Sequence, residues 1–209
     1  MFGQYRSLTV KEGLGWLKTG APSRETMLLP HPTDYFDLDF EEHASRYRMR
    51  GSWVHTLSFA IPCLEAMECL KARSVVEVGA GTGYWSSLIA LHGGDIIATD
   101  IETGISGYRH HIGAFHGVEQ LSATEAATRY PDRDVLTVWP NYDESWAYEM
   151  ACTIEGDRLL HYVGEGYGGC TADDDFHTLM SREFDQISEV AIPQWEGIHD
   201  YLTTYRRKR

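Results

Sequence analysis

The run Val75-Val76-Glu77-Val78-Gly79-Ala80-Gly81-Thr82-Gly83-Tyr84 constrains the fold more than any other stretch of the chain. An apolar, β-rich segment carrying one acid runs into three glycines at alternate positions. A strand that ends this way turns sharply, and glycine lets the backbone adopt left-handed φ and approach a ligand closely. The apolar segment from Tyr84 to Leu91 reads as the following helix, which begins with N–H groups that have no partner inside it. The predicted unit is therefore a strand, a glycine turn and a helix that hold a nucleoside. Its spacing is G-x-G-x-G, and Tyr84 displaces the last glycine of a dinucleotide fingerprint, which argues against nicotinamide cofactors.

The next stretch extends the unit. Gly93-Gly94 ends the helix, Asp95-Ile96-Ile97-Ala98-Thr99 reads as a second strand, and Asp100 stands at its carboxyl end. A carboxylate there accepts from the two hydroxyls of a ribose and repels a 2′-phosphate, which excludes NADP. The turn lacks the Lys-Ser/Thr pair that holds polyphosphate and magnesium, so an ATPase has no support either. A nucleoside without phosphates remains. On the competing reading the three glycines only pack helix against sheet, and Asp100 caps the segment after it.

These two stretches resemble the first two motifs of the class I S-adenosylmethionine (SAM)-dependent methyltransferases, with Glu77 ending the first strand and Asp100 as the ribose acid. The resemblance implies a SAM site built from Glu77, Gly79, Ala80, Gly81, Thr82, Gly83, Asp100, Ile101 and Trp139. Farther along, Trp139-Pro140-Asn141-Tyr142-Asp143 is similar to the [DN]-P-P-[FY] motif of amino methyltransferases, whose first residue accepts a hydrogen bond from the target nitrogen. Trp139 departs from it, because an indole N–H donates and cannot accept. Asn141 replaces the second proline, and the activation of adenine or cytosine amines is not preserved. Tyr142 keeps the means to stack on a substrate ring or to attract a sulfonium. The alternative for this loop is a rigid aromatic corner over the core. A second resemblance rests on Ile192-Pro193-Gln194-Trp195 through Gly197-Ile198-His199-Asp200, together with Trp139-Pro140 and Gly164-Glu165. It is to a bacterial-type family of methyltransferase-like proteins, and it implies a SAM-binding domain with Trp139, Tyr142 and Glu165 around the methyl site.

The order of elements supports the same plan. Cys63 to Lys71 reads as a helix begun by Pro62, followed by the first strand, the glycine turn and its helix, and the second strand. A helical stretch near Tyr108 to Phe115 is the least defined element. Then come a strand near Val118 to Leu121, a helix near Ala123 to Arg129, a strand over Asp134 to Pro140 and a helix around Tyr148. Leu159 to Val163 makes the fifth strand, and Asp173 to Met180 the next helix. Gln186 to Ile192 and Tyr201 to Arg206 close the chain as an antiparallel pair. Repeated crossovers predict an α/β, Rossmann-like, mostly parallel seven-stranded sheet with an antiparallel C-terminal strand. Residues 56–209 form the SAM-binding domain, and residues 1–55 an irregular N-terminal extension, read either as a strap or as a lid over the substrate.

Ligands collect at the carboxyl ends of such a sheet, so Glu77, Asp100, Trp139 and Glu165 are expected as neighbours. Glu165 is the candidate base or amine-binding acid, in a glycine-rich loop expected to form a flexible wall; the competing reading is an exposed loop carboxylate. Tyr142 and His199 complete the catalytic candidates, with His199 as a general base or as a hydrogen-bonded structural histidine. Asn141, Tyr142 and Trp195 are the expected substrate contacts, Trp195 overhanging the acceptor pocket. No metal is expected, since His110-His111 and His116 lack a third-ligand pattern and Asp173-Asp174-Asp175 reads as a helix start.

A net charge of −13 argues against a nonspecific grip on DNA or RNA, the tail Arg206-Arg207-Lys208-Arg209 being the exception. No apolar run reaches membrane-spanning length and the first residues lack a signal-type segment, so a cytoplasmic protein is expected. The four cysteines form no C-x-x-C pair and are expected as buried, reduced thiols. The leading functional expectation is SAM-dependent methyl transfer to a small-molecule acceptor. A SAM lyase or hydrolase, a non-catalytic SAM-binding module and, with least support, a nucleic-acid methyltransferase are the alternatives. A homo-oligomer is compatible with all of them.

Overall fold

The computed structural model describes residues 50, 54–55, 57–104, 114–195 and 197–209. Seven strands run β1 (Ser74–Val78), β2 (Asp95–Asp100), β3 (Val118–Gln120), β4 (Asp134–Val138), β5 (Leu159–Gly164), β6 (Phe184–Ala191) and β7 (Tyr201–Arg207). Five helices are interleaved with them: α1 (Leu64–Lys71), α2 (Tyr84–Leu91), α3 (Ala123–Arg129), α4 (Trp146–Cys152) and α5 (Asp174–Glu183). The strands form one sheet in the order β3-β2-β1-β4-β5-β7-β6. The first five are mutually parallel, and β7 runs antiparallel between β5 and β6. This is the α/β, Rossmann-like, mostly parallel seven-stranded sheet that the order of sequence elements predicts.

The central strands owe their composition to being covered on both faces. Val75 and Leu136 point to one layer, where α1 and α2 contribute Ala66, Met67, Leu70, Trp85, Leu88 and Ile89. Val76 and Val135 point to the other, where α3, α4 and α5 contribute Ala126, Ala127, Met150, Ala151, Phe176 and Leu179. Truncating a fully buried member such as Leu70 to alanine would cost about 2–5 kcal/mol. The chain leaves β1 toward β2 on one side, while β4 lies on the other. That reversal opens a crevice at the carboxyl ends of β1 and β4, the place where open α/β sheets bind ligands.

Local signals set the element ends. Ser122 and Glu125 form a reciprocal capping box at the start of α3. Asp173 caps α5 by accepting from the Phe176 N–H at 2.8 Å, which is the helix start expected of the acidic triplet. α5 runs on to Glu183, so β6 begins at Phe184, earlier than the sequence pattern suggests. β4 stops at Val138, short of the predicted Pro140, because Trp139 takes a left-handed φ of 54°. The strap or lid reading of residues 1–55, of which only 50, 54 and 55 are described, and the histidines His110-His111 lie outside the described residues. Among the described residues no helix is long and apolar enough to cross a membrane. The four cysteines are free thiols, of which Cys63 is buried, whereas Cys152 and Cys170 are exposed, contrary to the expectation that all would be buried.

Candidate functional site

The glycine turn has the conformation its composition demands. Gly79, Gly81 and Gly83 have φ of 76°, 54° and 69°. Two of these glycines make room for protein and not for a ligand. A Cβ on Gly79 would lie 2.8 Å from the Trp146 indole, and one on Gly83 would lie 3.0 Å from the His116 Cβ. The N–H groups of the turn are also engaged internally. Gly79 and Ala80 donate to the Thr99 carbonyl at 3.0 and 2.9 Å, and Gly83 donates to the Ala80 carbonyl at 2.7 Å. These bonds stitch the turn to β2, so it contributes shape, and of the N–H groups expected to be unpaired at the start of α2 that of Ser86 is taken by Glu77.

Two acids flank it. Asp100 ends β2 with Oδ2 accepting from the Gly81 N–H at 2.7 Å and Oδ1 from the Glu102 N–H at 2.8 Å. Each carboxylate oxygen has a second lone pair, so the group is held in place and still able to accept. Burial raises its affinity for a proton against those hydrogen bonds. Glu77 is only 2% exposed and turns toward α2, accepting from the Ser86 N–H at 3.0 Å and from the Ser86 hydroxyl. It thus caps the first turn of α2 from the neighbouring strand. Burial, opposed by the two Ser86 bonds, pushes its carboxyl up to about 7, and Asp100 adds to the rise.

Both acids line a cavity of about 760 Å³ at the carboxyl ends of the strands. Its floor is the glycine turn with Thr82. One wall carries Ile101, 66% exposed, with Leu121 and Ser122, and another carries Phe59, Trp139, Asn141, Tyr142 and Trp146. The charged residues of the lining are Glu77, Asp100, Glu102, Glu144 and Glu149; among the described residues no Lys, Arg or His joins them.

The β4 end is the most strained part of the described chain. Among the described residues the only non-glycine positions at positive φ are Trp139 (54°), Asp143 (59°) and Ala172 (57°), and hydrogen bonds tie them together. The Asp143 N–H donates to the Ala172 carbonyl at 3.2 Å, and the Ala172 N–H donates to the Pro140 carbonyl at 3.0 Å. Each such conformation costs about 1 kcal/mol or more and persists only where surrounding contacts impose it. Trp139 is fixed further by its indole N–H, which donates to Asp200 Oδ2 at 3.0 Å, and by stacking on Phe59 with ring centroids 4.9 Å apart. Asp200 is 1% exposed, its Oδ1 has no hydrogen-bond partner among the described residues, and burial pushes its carboxyl up to about 6.

Three sequence candidates sit elsewhere than expected. Glu165 is off the cavity wall, behind Cys170. Its Oε2 accepts from the Cys170 N–H at 3.0 Å and thiol at 2.9 Å, while Oε1 accepts from the His199 N–H at 2.8 Å. Burial opposes its charge, but those donors outweigh burial and hold the carboxyl below the usual range, which suits a staple and not a base. The loop it staples is no flexible wall: a Cβ on Gly169 would meet the Glu165 Cβ at 2.3 Å, so the glycines there serve close packing. His199 is exposed and outside the lining, and its backbone N–H donates to Glu165. Trp195 is 5% exposed within the core layer of α1 and α2, its indole N–H donating to the Phe59 carbonyl at 3.3 Å, so it supports the Phe59 wall from beneath and does not overhang the pocket. The sequence reading missed Phe59, Trp146 and Glu149 on the wall. Phe59 lies in an irregular segment without a pattern, whereas the Ser122 to Glu125 spacing was a readable sign of a helix start beside the cavity.

No family model and no curated protein matches the chain. Solved structures with a loosely similar fold include the N-methyltransferase NodS from Bradyrhizobium japonicum WM9, at 12% identity over 69% of this chain and 94% of that one, with a TM-score of 0.42. A SAM-dependent methyltransferase from Anabaena variabilis is similar over 99% of both chains at 9% identity and a TM-score of 0.44. A protein from work on the conversion of a disulfide bond into a thioacetal group during echinomycin biosynthesis matches 67% of this chain and 78% of its own at 14% identity, with a TM-score of 0.44.

Proposed function

We propose that this chain binds SAM in the cavity at the carboxyl ends of β1, β2 and β4 and transfers its methyl group to a small-molecule acceptor. The observation that carries the reading is Asp100, a carboxylate fixed by two backbone N–H groups at the end of β2. It stands beside an outward-facing Ile101, in a cavity whose charged lining is wholly acidic among the described residues. Asp100 would accept from the ribose hydroxyls, and Ile101 and Leu121 would pack on the adenine. Glu77, near its own titration point, would meet the methionine ammonium. An acidic lining suits a ligand with a sulfonium.

SAM, when bound, supplies an electrophilic methyl group on sulfur. The residues of the chain then have three tasks: to orient the donor, to hold the acceptor in line, and to keep water out. Trp139 cannot accept a proton, and its indole N–H is already engaged by Asp200, so it presents ring surface to the cavity. Tyr142, 66% exposed on the lining, is the candidate contact to the acceptor, with Asn141 beside it. A small acceptor is also the reading that fits a net charge of −13.

The test incubates the protein with methyl-labelled SAM and a fractionated cell extract. Label in a small molecule is expected; label in nucleic acid, or SAM cleaved without an acceptor, would overturn the reading.

A further inference from the structure

The cavity holds more negative charge than its proposed donor can balance. SAM carries one net positive charge at neutral pH, from sulfonium and ammonium against one carboxylate. The lining brings five carboxyl groups, and among the described residues no cation. Glu77 and Asp100 belong to the donor end, and Glu77 is half protonated near neutrality. Glu144 and Glu149 join the lining from the connection after β4 and from α4, with Tyr142 and Trp146, and β4 lies across β1 from the strand that Asp100 ends. Both glutamates are exposed, and Glu149 has one oxygen engaged by the Ser145 hydroxyl at 2.7 Å.

An acceptor bearing a carboxylate or phosphate would meet like charges here, with no cation on the lining among the described residues and only Arg50, acting behind Cys170, to offset them. An ammonium would find charge-assisted acceptors in the glutamates and the negative ring face of Tyr142. Flat apolar bodies fit the walls formed by Phe59, Trp139 and Trp146, which are held by stacking and by the strained β4 corner and need no rearrangement to receive them.

We propose that the acceptor is an amine-bearing molecule with a flat apolar body, whose ammonium is anchored between Glu144, Glu149 and the Tyr142 ring. The ammonium has no lone pair and acts as the handle, not as the atom that takes the methyl group. This inference rests on the SAM reading for the division of the cavity into donor and acceptor halves.

The test uses the full chain in three steps. Calorimetry first measures binding of S-adenosylhomocysteine. The saturated protein is then titrated with three probes that share one ring, 2-phenylethylamine, 2-phenylethanol and phenylacetate, at low salt. The amine is expected to bind at least tenfold more tightly than the alcohol, and phenylacetate more weakly than either. The double variant E144Q/E149Q is expected to bring the amine to the level of the alcohol. An amine that binds no better than the alcohol or phenylacetate, or one whose preference survives in the double variant, overturns the proposal. Failure of S-adenosylhomocysteine to bind, with the amine preference intact, would instead overturn the donor assignment.

Discussion

The two ends of the sheet use buried acids in opposite ways. At the amino end of β4, Asp134 is 5% exposed, pairs with the Arg73 guanidinium, and accepts from the Leu159 N–H at 2.9 Å, with His161 Nε2 at 3.7 Å. Burial works against its charge, but the approach of His161 and the bonds from Arg73 and Leu159 prevail and hold the carboxyl well below the usual carboxylate range. Nearby, Arg133 pairs with Asp95 at 2.8 Å, and Arg158 donates to the Arg133, Ala127 and Tyr130 carbonyls. At the carboxyl end, Glu77 and Asp200 are just as buried; among the described residues neither forms an ion pair, Arg50 only tempers the rise at Asp200, and burial pushes the two carboxyls up to about 7 and about 6. Acids paired with arginine hold a fold together, whereas buried acids outside an ion pair weaken it and are tolerated where a ligand has use for them.

The largest effect that would break this comparison is at the amino end. Asp134→Ala leaves the Leu159 N–H and the Arg73 side chain without their acceptor and should lower unfolding free energy by about 3 kcal/mol in urea titration at pH 7. Because the folded Asp134 carboxyl is depressed, its stabilisation is present above the unfolded value near pH 4 and fades as pH falls below it. The gap between the variant and the parent should therefore narrow steadily from about pH 5 toward pH 2, and a gap that does not change over that range would contradict the pairing.

Next in size is Asp100→Ala, expected to weaken binding of S-adenosylhomocysteine by at least about tenfold, roughly 1.4 kcal/mol, while shifting unfolding by less than about 1 kcal/mol. A loss of stability without a loss of affinity would make Asp100 a support for the glycine turn and nothing more.

Glu77→Gln probes the same end through stability. The raised carboxyl means the folded state binds a proton more tightly than the unfolded one, so the contribution of Glu77 worsens as pH rises from about 4 through about 7. Glutamine keeps an acceptor for Ser86 and removes the titration. The variant should melt at or above the parent temperature at pH 8, with the gap closing toward pH 5; a gap independent of pH would contradict burial as the cause. The smallest effect is expected for Asp200→Asn, which keeps an oxygen for the Trp139 indole. It should lie within about 1 kcal/mol of the parent, gaining on it as pH rises from about 4 through about 6 and holding level above, as chemical denaturation at pH 4 and pH 8 would reveal.

The sequence carried the sheet plainly. Apolar runs marked β1, β2, β4 and β5, and helices α2 and α3 occupy the residues their patterns predict. Both motif acids reach one cavity, because they end adjacent parallel strands and strand order is a local matter of crossovers. What the sequence concealed are contacts across long separations. Nothing in the vicinity of Gly79 announces that Trp146 will lie against it, and nothing near Trp139 announces that Asp200, 61 residues on, will receive its indole N–H. Glu165 read as a base because a carboxylate after a strand is open by default. It became a staple only when the bend before β7 brought the His199 N–H to it.

Calorimetric titration of the chain with S-adenosylhomocysteine, run beside Asp100→Ala, tests the central claim most directly. The account predicts one site per chain in the parent protein and a loss of at least about tenfold in the variant. No heat in the parent, or equal affinity in both, would contradict it.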